Sequence, residues 1–340
     1  MRRLELREEV VPDVLAELGL IARGIRPEVR PLSGGIANAV FSARWDGGAV
    51  VLKQALAELR VPAEWSFDTA RTQIERDCLD YLADTWPAGA APAVLGFDVA
   101  NGILAMSHAS DGGQVWKEQL LAGSVEARVA TRVGRLLGTL HRRAAGDAQA
   151  RDRFSAIWPL VQGRVDPYHR TAAAAHPDLR EPILAEVERL LATRQTLVLG
   201  DCSPKNVIAY ADRVLMLDFE VAHWGDPAFD IAFLITHLVL KARRAPDLAT
   251  PLRQCASALL GGYCEAAEAL PPANAIVAEL GCLLLSRIDG KSPVEYLTAE
   301  HDRNAVRATS RRLLTEQPTP IERALDLSFE TVTHASVASI

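Results

Sequence analysis

The side chains best suited to chemistry lie in one segment of the sequence, residues 196–230. Asp201 comes directly after an apolar strand, Asn206 follows five residues later, and Asp218 follows two further short apolar strands. A carboxylate in this position can accept the proton of an attacking hydroxyl. An amide oxygen and a second carboxylate can together hold Mg²⁺ on the phosphates of ATP. The order of these three residues predicts a phosphoryl-transfer site.

A simpler interpretation of the same segment is a buried β-hairpin with polar ends, since an Asp and an Asn five positions apart often occur by chance. The apolar strand on each side favours the catalytic interpretation, and so does the strand end Leu-Asp-Phe-Glu at 217–220. Ser203 and Pro204 supply the turn chemistry that lets the chain double back, so that Asp201 and Asn206 can face one site.

The three motifs of this segment also resemble a known family. Gly-Asp-x-x-x-x-Asn at 200–206, Leu-Asp-Phe-Glu at 217–220 and Gly-Asp-Pro-Ala-Phe-Asp at 225–230 are similar to those of the aminoglycoside, choline and methylthioribose kinases. The resemblance implies an α+β, protein-kinase-like fold of two lobes. Residues 1–108 would form an N-lobe with a small antiparallel sheet and one main helix, and 109–340 a larger, mostly helical C-lobe.

The resemblance also implies the cofactors and the roles of the residues. ATP and Mg²⁺ are expected, with Asp201 as the catalytic base and Asn206 and Asp218 as metal ligands. The partner would be a small molecule with a hydroxyl acceptor, and a homodimer is compatible with the pattern.

Composition excludes several other classes of protein. The 340 residues are 49% hydrophobic and 24% charged, as in ordinary soluble proteins, and the net charge of −6 gives no reason to expect nucleic acid or an anionic membrane. Five scattered cysteines without a Cys-x-x-Cys pair argue against disulfides and zinc. The longest apolar runs, 229–240 and 275–285, are too short to span a membrane, and no signal-peptide core is visible at the N-terminus. A cytoplasmic protein is therefore expected.

The N-terminal third alternates strands with turns. Two strands flank a Ser-Gly-Gly turn at 33–35, and Asp46-Gly47-Gly48 then connects to a third strand that ends at Lys53. Paired glycines let backbone amides approach a phosphate closely, although they also fit an ordinary hairpin turn. We expect Ser33, Gly34, Gly35 and Asn38 to contact the cofactor.

Lys53 and Glu75 are expected to act together at the nucleotide. A lysine at this strand end matches the kinase lysine that contacts the α- and β-phosphates. From Thr69 to Ala83 the apolar residues fall on one helical face, and Glu75 lies at its edge. Glu75 could therefore pair with Lys53, although an exposed strand-end lysine and a solvated helix glutamate are the simpler alternatives.

Two further nucleotide contacts follow from the resemblance. Met106 to His108 match the hinge whose backbone groups would meet the adenine. Trp65 matches a tryptophan loop near the nucleotide of methylthioribose kinase, or else staples its own loop to the sheet. After the hinge, helices are predicted at 151–163, 178–194, 229–242, 249–270, 273–288 and about 299–314, followed by a short helix and a loose tail.

The acceptor is less well defined than the catalytic frame. Methylthioribose kinase has Ser where this chain has Asn206, and it has paired arginines where only Arg287 remains. Many relatives have His where this chain has Leu199, which puts the rigidity of the catalytic loop in doubt. Glu220, Arg287 and Trp65 are the expected substrate contacts. A sugar such as methylthioribose, an aminoglycoside-type antibiotic and a choline-like amino alcohol all stay open, as does a nucleotide-binding pseudokinase.

Overall fold

The structure is a computed structural model that describes residues 4–32, 37–56 and 65–330. It has the expected α+β organisation, with a five-stranded antiparallel sheet followed by a mostly helical region. Ser33, Gly34 and Gly35, which were expected to contact the cofactor, lie outside the described residues.

The sheet is formed by the first five strands, in the spatial order β1-β2-β3-β5-β4. Their bounds are β1 Glu28–Pro31, β2 Asn38–Trp45, β3 Gly48–Ala55, β4 Val94–Asp98 and β5 Ile103–Ser107. Trp45 pairs with Gly48, so the predicted Asp-Gly turn closes a tight hairpin between β2 and β3.

One helix packs on each face of this sheet. Helix α1 (Val11–Glu17) packs against Val50 and Leu52 of β3, whereas α2 (Arg71–Thr85) packs against Leu104 and Met106 of β5. Because successive strand residues point to opposite faces, Lys53 points away from the face of Leu52, toward the α2 side. The alternation of β3 therefore directs the lysine toward the helix that carries Glu75.

The chain leaves this sheet after Ser107, and its next strand pairs elsewhere. The remaining strands are β6 Gln114–Val115, β7 Thr196–Val198, β8 Val207–Ala209, β9 Val214–Met216 and β10 His223–Gly225. They form the sheet β6-β8-β9 and the pair β10-β7. This change of sheet within 108–113 supports the lobe boundary at residue 108, which we propose as the division of the chain.

Helices make up most of the rest of the chain. They are α3 Trp116–Leu121, α4 Ala127–Ala145, α5 Ala148–Arg153, α6 Trp158–Leu160, a π-helix Val161–Arg170, α7 Thr171–Ala175, α8 Arg180–Ala192, α9 Ala228–Arg244, α10 Ala249–Ala267, α11 Ala273–Asp289, α12 Glu300–Glu316 and α13 Ile321–Phe329. Short 3₁₀ turns occupy Glu8–Val10, Pro177–Leu179, Pro204–Asn206 and Pro246–Leu248. No helix of the described residues is both long and apolar enough to cross a bilayer.

Helices α4 and α10 pack unusually closely, because glycines lie where they meet. A Cβ atom on Gly134 would lie 2.2 Å from the carbonyl oxygen of Leu259, and one on Gly262 would lie 2.2 Å from that of Thr131. Any larger residue would push the two helices apart.

The predicted helix at 151–163 is wrong in its continuity. The structure ends α5 at Arg153, and helical turns resume only at Trp158, continuing into the π-helix. Pro159 stands in the first turn of α6, where proline is tolerated, and Pro167 lies inside the π-helix. A proline has no backbone N–H to donate, which disfavours a regular α-helix around it.

Candidate active site

The catalytic loop begins where β7 ends. Gly200 has φ +75°, and a Cβ there would lie 2.7 Å from the Cγ1 of Val221, so only glycine fits this turn. The turn delivers Asp201, which is 8% exposed. Its Oδ2 lies 3.2 Å from Nη2 of Arg164 and 3.1 Å from Nζ of Lys205. The carboxylate is thus held between two cations.

The loop brings Asn206 next to Asp218. Val207 pairs with Met216 in the β8–β9 ladder, and the Leu217 amide donates to the Asn206 carbonyl at 2.8 Å. The Asn206 side-chain nitrogen donates to the Asp201 carbonyl at 3.0 Å, which leaves its amide oxygen as the atom suited to a cation. Asp218 has φ +68°, an uncommon conformation for a residue other than glycine. Such a conformation persists where the surrounding structure fixes it, often at functional sites.

Lys53 forms the centre of a buried ionic cluster. Its Nζ lies 2.7 Å from the Oε2 of Glu75 and 2.7 Å from the Oδ1 of Asp218, with Oε2 of Glu220 at 3.6 Å. Burial lowers the pKa of Lys53, but the three carboxylates outweigh it and raise this pKa well above its ordinary value. The lysine is therefore expected to carry its charge at neutral pH.

The carboxylates of this cluster differ in acidity. Burial raises the pKa of Glu75 to about 7, against the opposing effect of Lys53. Burial also acts on Asp218, but Lys53 and Lys205 outweigh it and lower the pKa of Asp218 to about 2. Asp218 thus stays ionised at neutral pH, as a ligand for a cation must.

Glu220 lies in this same cluster, although a substrate contact was expected. It accepts hydrogen bonds from Nδ2 of Asn38 at 2.9 Å and from Nε of Arg71 at 3.3 Å. Arg71 is fully buried and also donates to the Leu56 carbonyl at 2.8 Å. Glu220 therefore tethers the catalytic segment to α2 and β2. No sequence pattern indicated the role of Arg71, because an arginine at the start of a helix is normally solvated.

Lys53 and Glu75 are predicted to be energetically coupled. Removing Lys53 leaves Glu75 buried without its cation, and removing Glu75 takes from Lys53 one of its two carboxylates at 2.7 Å, so each alanine substitution alone is costly. The double substitution should therefore cost less than the sum of the two single changes, by at least ~1 kcal/mol. A double-mutant cycle on the free energy of unfolding measures this difference, and strict additivity would contradict a working ion pair.

Asp230 braces the catalytic loop from below. Its Oδ2 accepts from the Leu199 amide at 2.8 Å, and its Oδ1 accepts from the Gly200 amide at 2.9 Å. His141 Nε2 lies 3.2 Å from the same carboxylate, and its Nδ1 lies 3.0 Å from the hydroxyl of Tyr263. These hydrogen bonds hold the start of the loop in place, even though Leu199 stands where the family resemblance leads one to expect a histidine.

The remaining residues that were predicted to contact the nucleotide are Met106, His108 and Trp65. Met106 is buried in β5, and His108 follows one residue beyond the strand, where its Nδ1 lies 2.6 Å from the Ala109 carbonyl oxygen. Trp65 donates through Nε1 to the Gln162 carbonyl at 2.9 Å, so its ring is tied to the π-helix. Their roles toward a nucleotide stay predictions.

A cavity of about 350 Å³ opens beside Asp201. Residues from the catalytic loop, α3, the π-helix, α9, α11 and the segment after α11 line it, and they are Lys117, Tyr168, Asp201, Lys205, Phe233, His237, Lys241, Arg287, Lys291, Ser292, Pro293, Val294, Glu295 and Tyr296. Arg287, an expected substrate contact, is among them. Glu220 and Trp65 are not, although both were expected at the substrate. This cavity is the space that an acceptor molecule could occupy next to the Asp201 carboxylate.

Curated relatives of this chain are small-molecule kinases at low identity. A methylthioribose kinase from Pectobacterium atrosepticum is 24% identical over 248 residues, which cover 65% of this chain and 62% of that protein. A 4-hydroxytryptamine kinase from Psilocybe cyanescens is 23% identical over 259 residues, covering 66% of this chain and 72% of that protein. The match to the methylthioribose kinase therefore spans less than two thirds of its length.

Solved structures share the fold. A choline kinase from Cryptosporidium parvum aligns with a TM-score of 0.58 at 14% identity, covering 93% of this chain and 99% of that one. An amicoumacin kinase aligns with a TM-score of 0.56 at 16% identity, covering 92% and 95%. The model of the APH phosphotransferase enzyme family matches residues 28–268, which contain Lys53, Asp201 and Asp218. The chain therefore belongs to the phosphotransferase enzyme family and has a protein-kinase-like fold.

Proposed function

We propose that this protein transfers the γ-phosphoryl group of ATP to a hydroxyl of a small polar metabolite, with Mg²⁺ as the metal. The observation that carries the proposal is the position of Asp201. It lies at the wall of a cavity large enough for a metabolite, and its backbone carbonyl accepts a hydrogen bond from Asn206, which neighbours Asp218. The proposed base Asp201 therefore lies next to the proposed cation ligands Asn206 and Asp218 and beside a cavity for the acceptor.

The ligand atoms at this point fit magnesium. Asp218 is ionised, Asn206 offers an amide oxygen, and hard oxygen donors of this kind are the ones that Mg²⁺ prefers. When bound there, Mg²⁺ would neutralise charge on the nucleotide phosphates. The amicoumacin kinase structure contains AMP-PNP and Ca²⁺, which supports the use of a nucleotide and a divalent cation here.

The residues of the chain have distinct roles in the proposed transfer. The acceptor oxygen forms a bond to the γ-phosphorus, the bond from that phosphorus to the ADP oxygen breaks, and ADP leaves with the electron pair. Asp201 orients the acceptor hydroxyl and takes its proton. Lys53, held by Glu75, binds the nucleotide phosphates, and Met106 and His108 border the adenine. Catalysis then rests mainly on positioning and charge stabilisation.

The test is ATP consumption with a panel of acceptors. Purified protein with Mg²⁺ and ATP is assayed for ADP release against sugars that include methylthioribose, amino alcohols that include choline, aminoglycosides and hydroxy acids. Phosphorylated product is then identified by mass spectrometry. ATP binding with no product from any class would contradict the proposal and indicate a nucleotide-binding protein without transfer activity.

Replacing Asp218 by asparagine should remove most of the metal dependence of ATP binding. The substitution keeps the shape of the side chain but deletes the charge that a hard cation needs. Calorimetric titration of ATP with and without Mg²⁺ measures the effect, and we expect the parent to bind ATP at least ~10-fold more tightly with the metal. Equal metal dependence in the parent and the variant would remove Asp218 from the metal site.

A further inference from the structure

We propose that the acceptor carries an anionic group, such as a carboxylate, and that Lys241 and Arg287 bind it. The inference rests on the proposed transfer to a hydroxyl in the cavity beside Asp201, and it narrows the class of the acceptor. The first observation is the charge of the cavity. Five cationic side chains line it, against the two carboxylates of Asp201 and Glu295.

Part of this positive charge is already compensated. Lys205 pairs with Asp201, and Lys117 forms an ion pair with Glu295. These contacts use both carboxylates of the cavity wall. Of the other cations, Lys241 and Arg287 form no ion pair with a carboxylate of the described residues, so a ligand could balance their charge.

The charged form of Lys241 is unfavourable in its surroundings unless a ligand is bound. Lys241 is 2% exposed, and among the described residues its Nζ donates only to the His237 carbonyl at 3.3 Å and to the Tyr296 hydroxyl at 3.5 Å, with the Tyr296 ring centroid 5.1 Å away. It makes no ion pair with a carboxylate of the part of the chain that the structure describes. Burying an ammonium group without a counter-charge is strongly unfavourable, so such a group marks a candidate binding site.

The titration of Lys241 agrees with this picture. Burial, together with the charges of Lys117 and Arg287, lowers the pKa of Lys241 to about 7, against the opposing effect of Glu295. His237, on the same helix, has its pKa lowered well below the ordinary value by burial and by the neighbouring lysines, and so stays neutral. An anion entering the cavity would restore the charge of Lys241.

Arg287 offers the second half of the anion site. It comes from the last turn of α11, where its Nη1 donates to the Tyr168 hydroxyl at 3.0 Å and to the Ser292 carbonyl. Its Nε is buried and has no hydrogen-bond partner within the part of the chain that the structure describes. Those two acceptors are uncharged, so the guanidinium has no carboxylate partner among the described residues. A guanidinium can bind a carboxylate through two parallel hydrogen bonds.

The same charges disfavour the cationic acceptors that the family resemblance left open. An aminoglycoside or an amino alcohol would bring further positive charge into a cavity that already has an excess of it. Like charges placed together without a counter-ion repel each other strongly where water is excluded. The cavity therefore favours an acid with a free hydroxyl over a neutral sugar, and a neutral sugar over an amine.

The test uses acceptors in matched pairs that differ only in the anionic group, namely glycerate with glycerol, ribonate with ribitol, and gluconate with glucitol. Each is measured as an acceptor by ATP consumption and as a ligand by thermal shift in the presence of AMP-PNP and Mg²⁺. At least one acid should raise Tm and be phosphorylated with a higher kcat/KM than its alcohol. If no acid shifts Tm, or if the alcohols or an amine are preferred, the inference is overturned.

Charge-removing variants connect the preference to the two residues. Lys241→Gln and Arg287→Gln should each raise the KM for the acid by at least ~30-fold while leaving the KM for ATP unchanged, as expected when one member of a buried charge pair is lost. Arg244→Gln is the matched control, since it removes the same charge from the exposed end of α9. Equal losses for the acid and its alcohol would mean that these cations serve the transferred phosphoryl group, which contradicts the inference.

The two proposals can fail separately. Phosphorylation of neutral or amine acceptors alone would leave the kinase proposal intact and overturn the anionic acceptor. Binding of an acid through Lys241 without its phosphorylation by ATP would support the anion site and would contradict the proposed phosphoryl transfer.

Discussion

Replacement of Asp201 by asparagine should lower the rate of phosphoryl transfer by at least ~100-fold, the usual loss when a positioned general base is removed. The amide keeps the shape of the carboxylate but cannot take the proton of the acceptor. Nucleotide affinity should change little, because Lys53 and Asp218 are separate from Asp201. Steady-state turnover and calorimetric titration with AMP-PNP measure the two effects.

The control for Asp201 lies in the same segment. Asp212 is an exposed aspartate in the turn between β8 and β9, so Asp212→Asn removes the same charge without touching the loop. It should leave turnover within a factor of ~2, as usual for a surface substitution. Near-normal turnover of Asp201→Asn would falsify its assignment as the base.

Asp230→Asn should produce the second large effect, by releasing the loop that positions Asp201. Both oxygens of Asp230 accept backbone hydrogen bonds, and an asparagine has only one oxygen to offer. Its amide nitrogen would face a backbone N–H, which leaves a buried donor without an acceptor. We expect a loss of about 3 kcal/mol in the free energy of unfolding.

The catalytic consequence of Asp230→Asn separates a positioning role from a merely structural one. The kcat should fall at least ~10-fold at a temperature where the variant is still folded, with the KM for ATP nearly unchanged. Asp247→Asn, an exposed aspartate between α9 and α10, is the matched control. A destabilised variant with normal kcat would show that Asp230 supports the fold but not the geometry of the loop.

Local patterns carried most of the information about the fold. Alternation in the strands around Lys53 and the apolar face of α2 are both short-range signals, so the sheet and its helix could be predicted from sequence. The π-helix could not, because its register depends on how residues 161–170 pack against distant helices. A proline such as Pro167 shows that a regular helix is disfavoured there, but not which irregular form replaces it.

The candidate site also has a part that could be predicted from the sequence and a part that could not. The candidate roles of Asp201, Asn206 and Asp218 could be predicted from the sequence, because a single stretch of chain contains all three residues together with their strands. The role proposed for Lys241 could not be predicted, since a lysine near the end of an apolar helix normally interacts with the helix dipole or with solvent. Its burial near Arg287 and Tyr296 depends on packing between segments far apart in sequence. The contact of Glu220 with Arg71, where a contact with the acceptor was expected, also depends on such long-range packing.

The close contact of α4 and α10 has a consequence for the order in which the enzyme matures. His141 and Tyr263, which complete the support of Asp230, stand 122 positions apart, and every catalytic residue lies between them or before them. During synthesis, each of these catalytic residues therefore leaves the ribosome before α10 does. Long-range contacts of this kind form late, because the closure of a long loop must precede them. A nascent chain that ends after α9 would carry the complete catalytic motif and still lack the geometry for phosphoryl transfer.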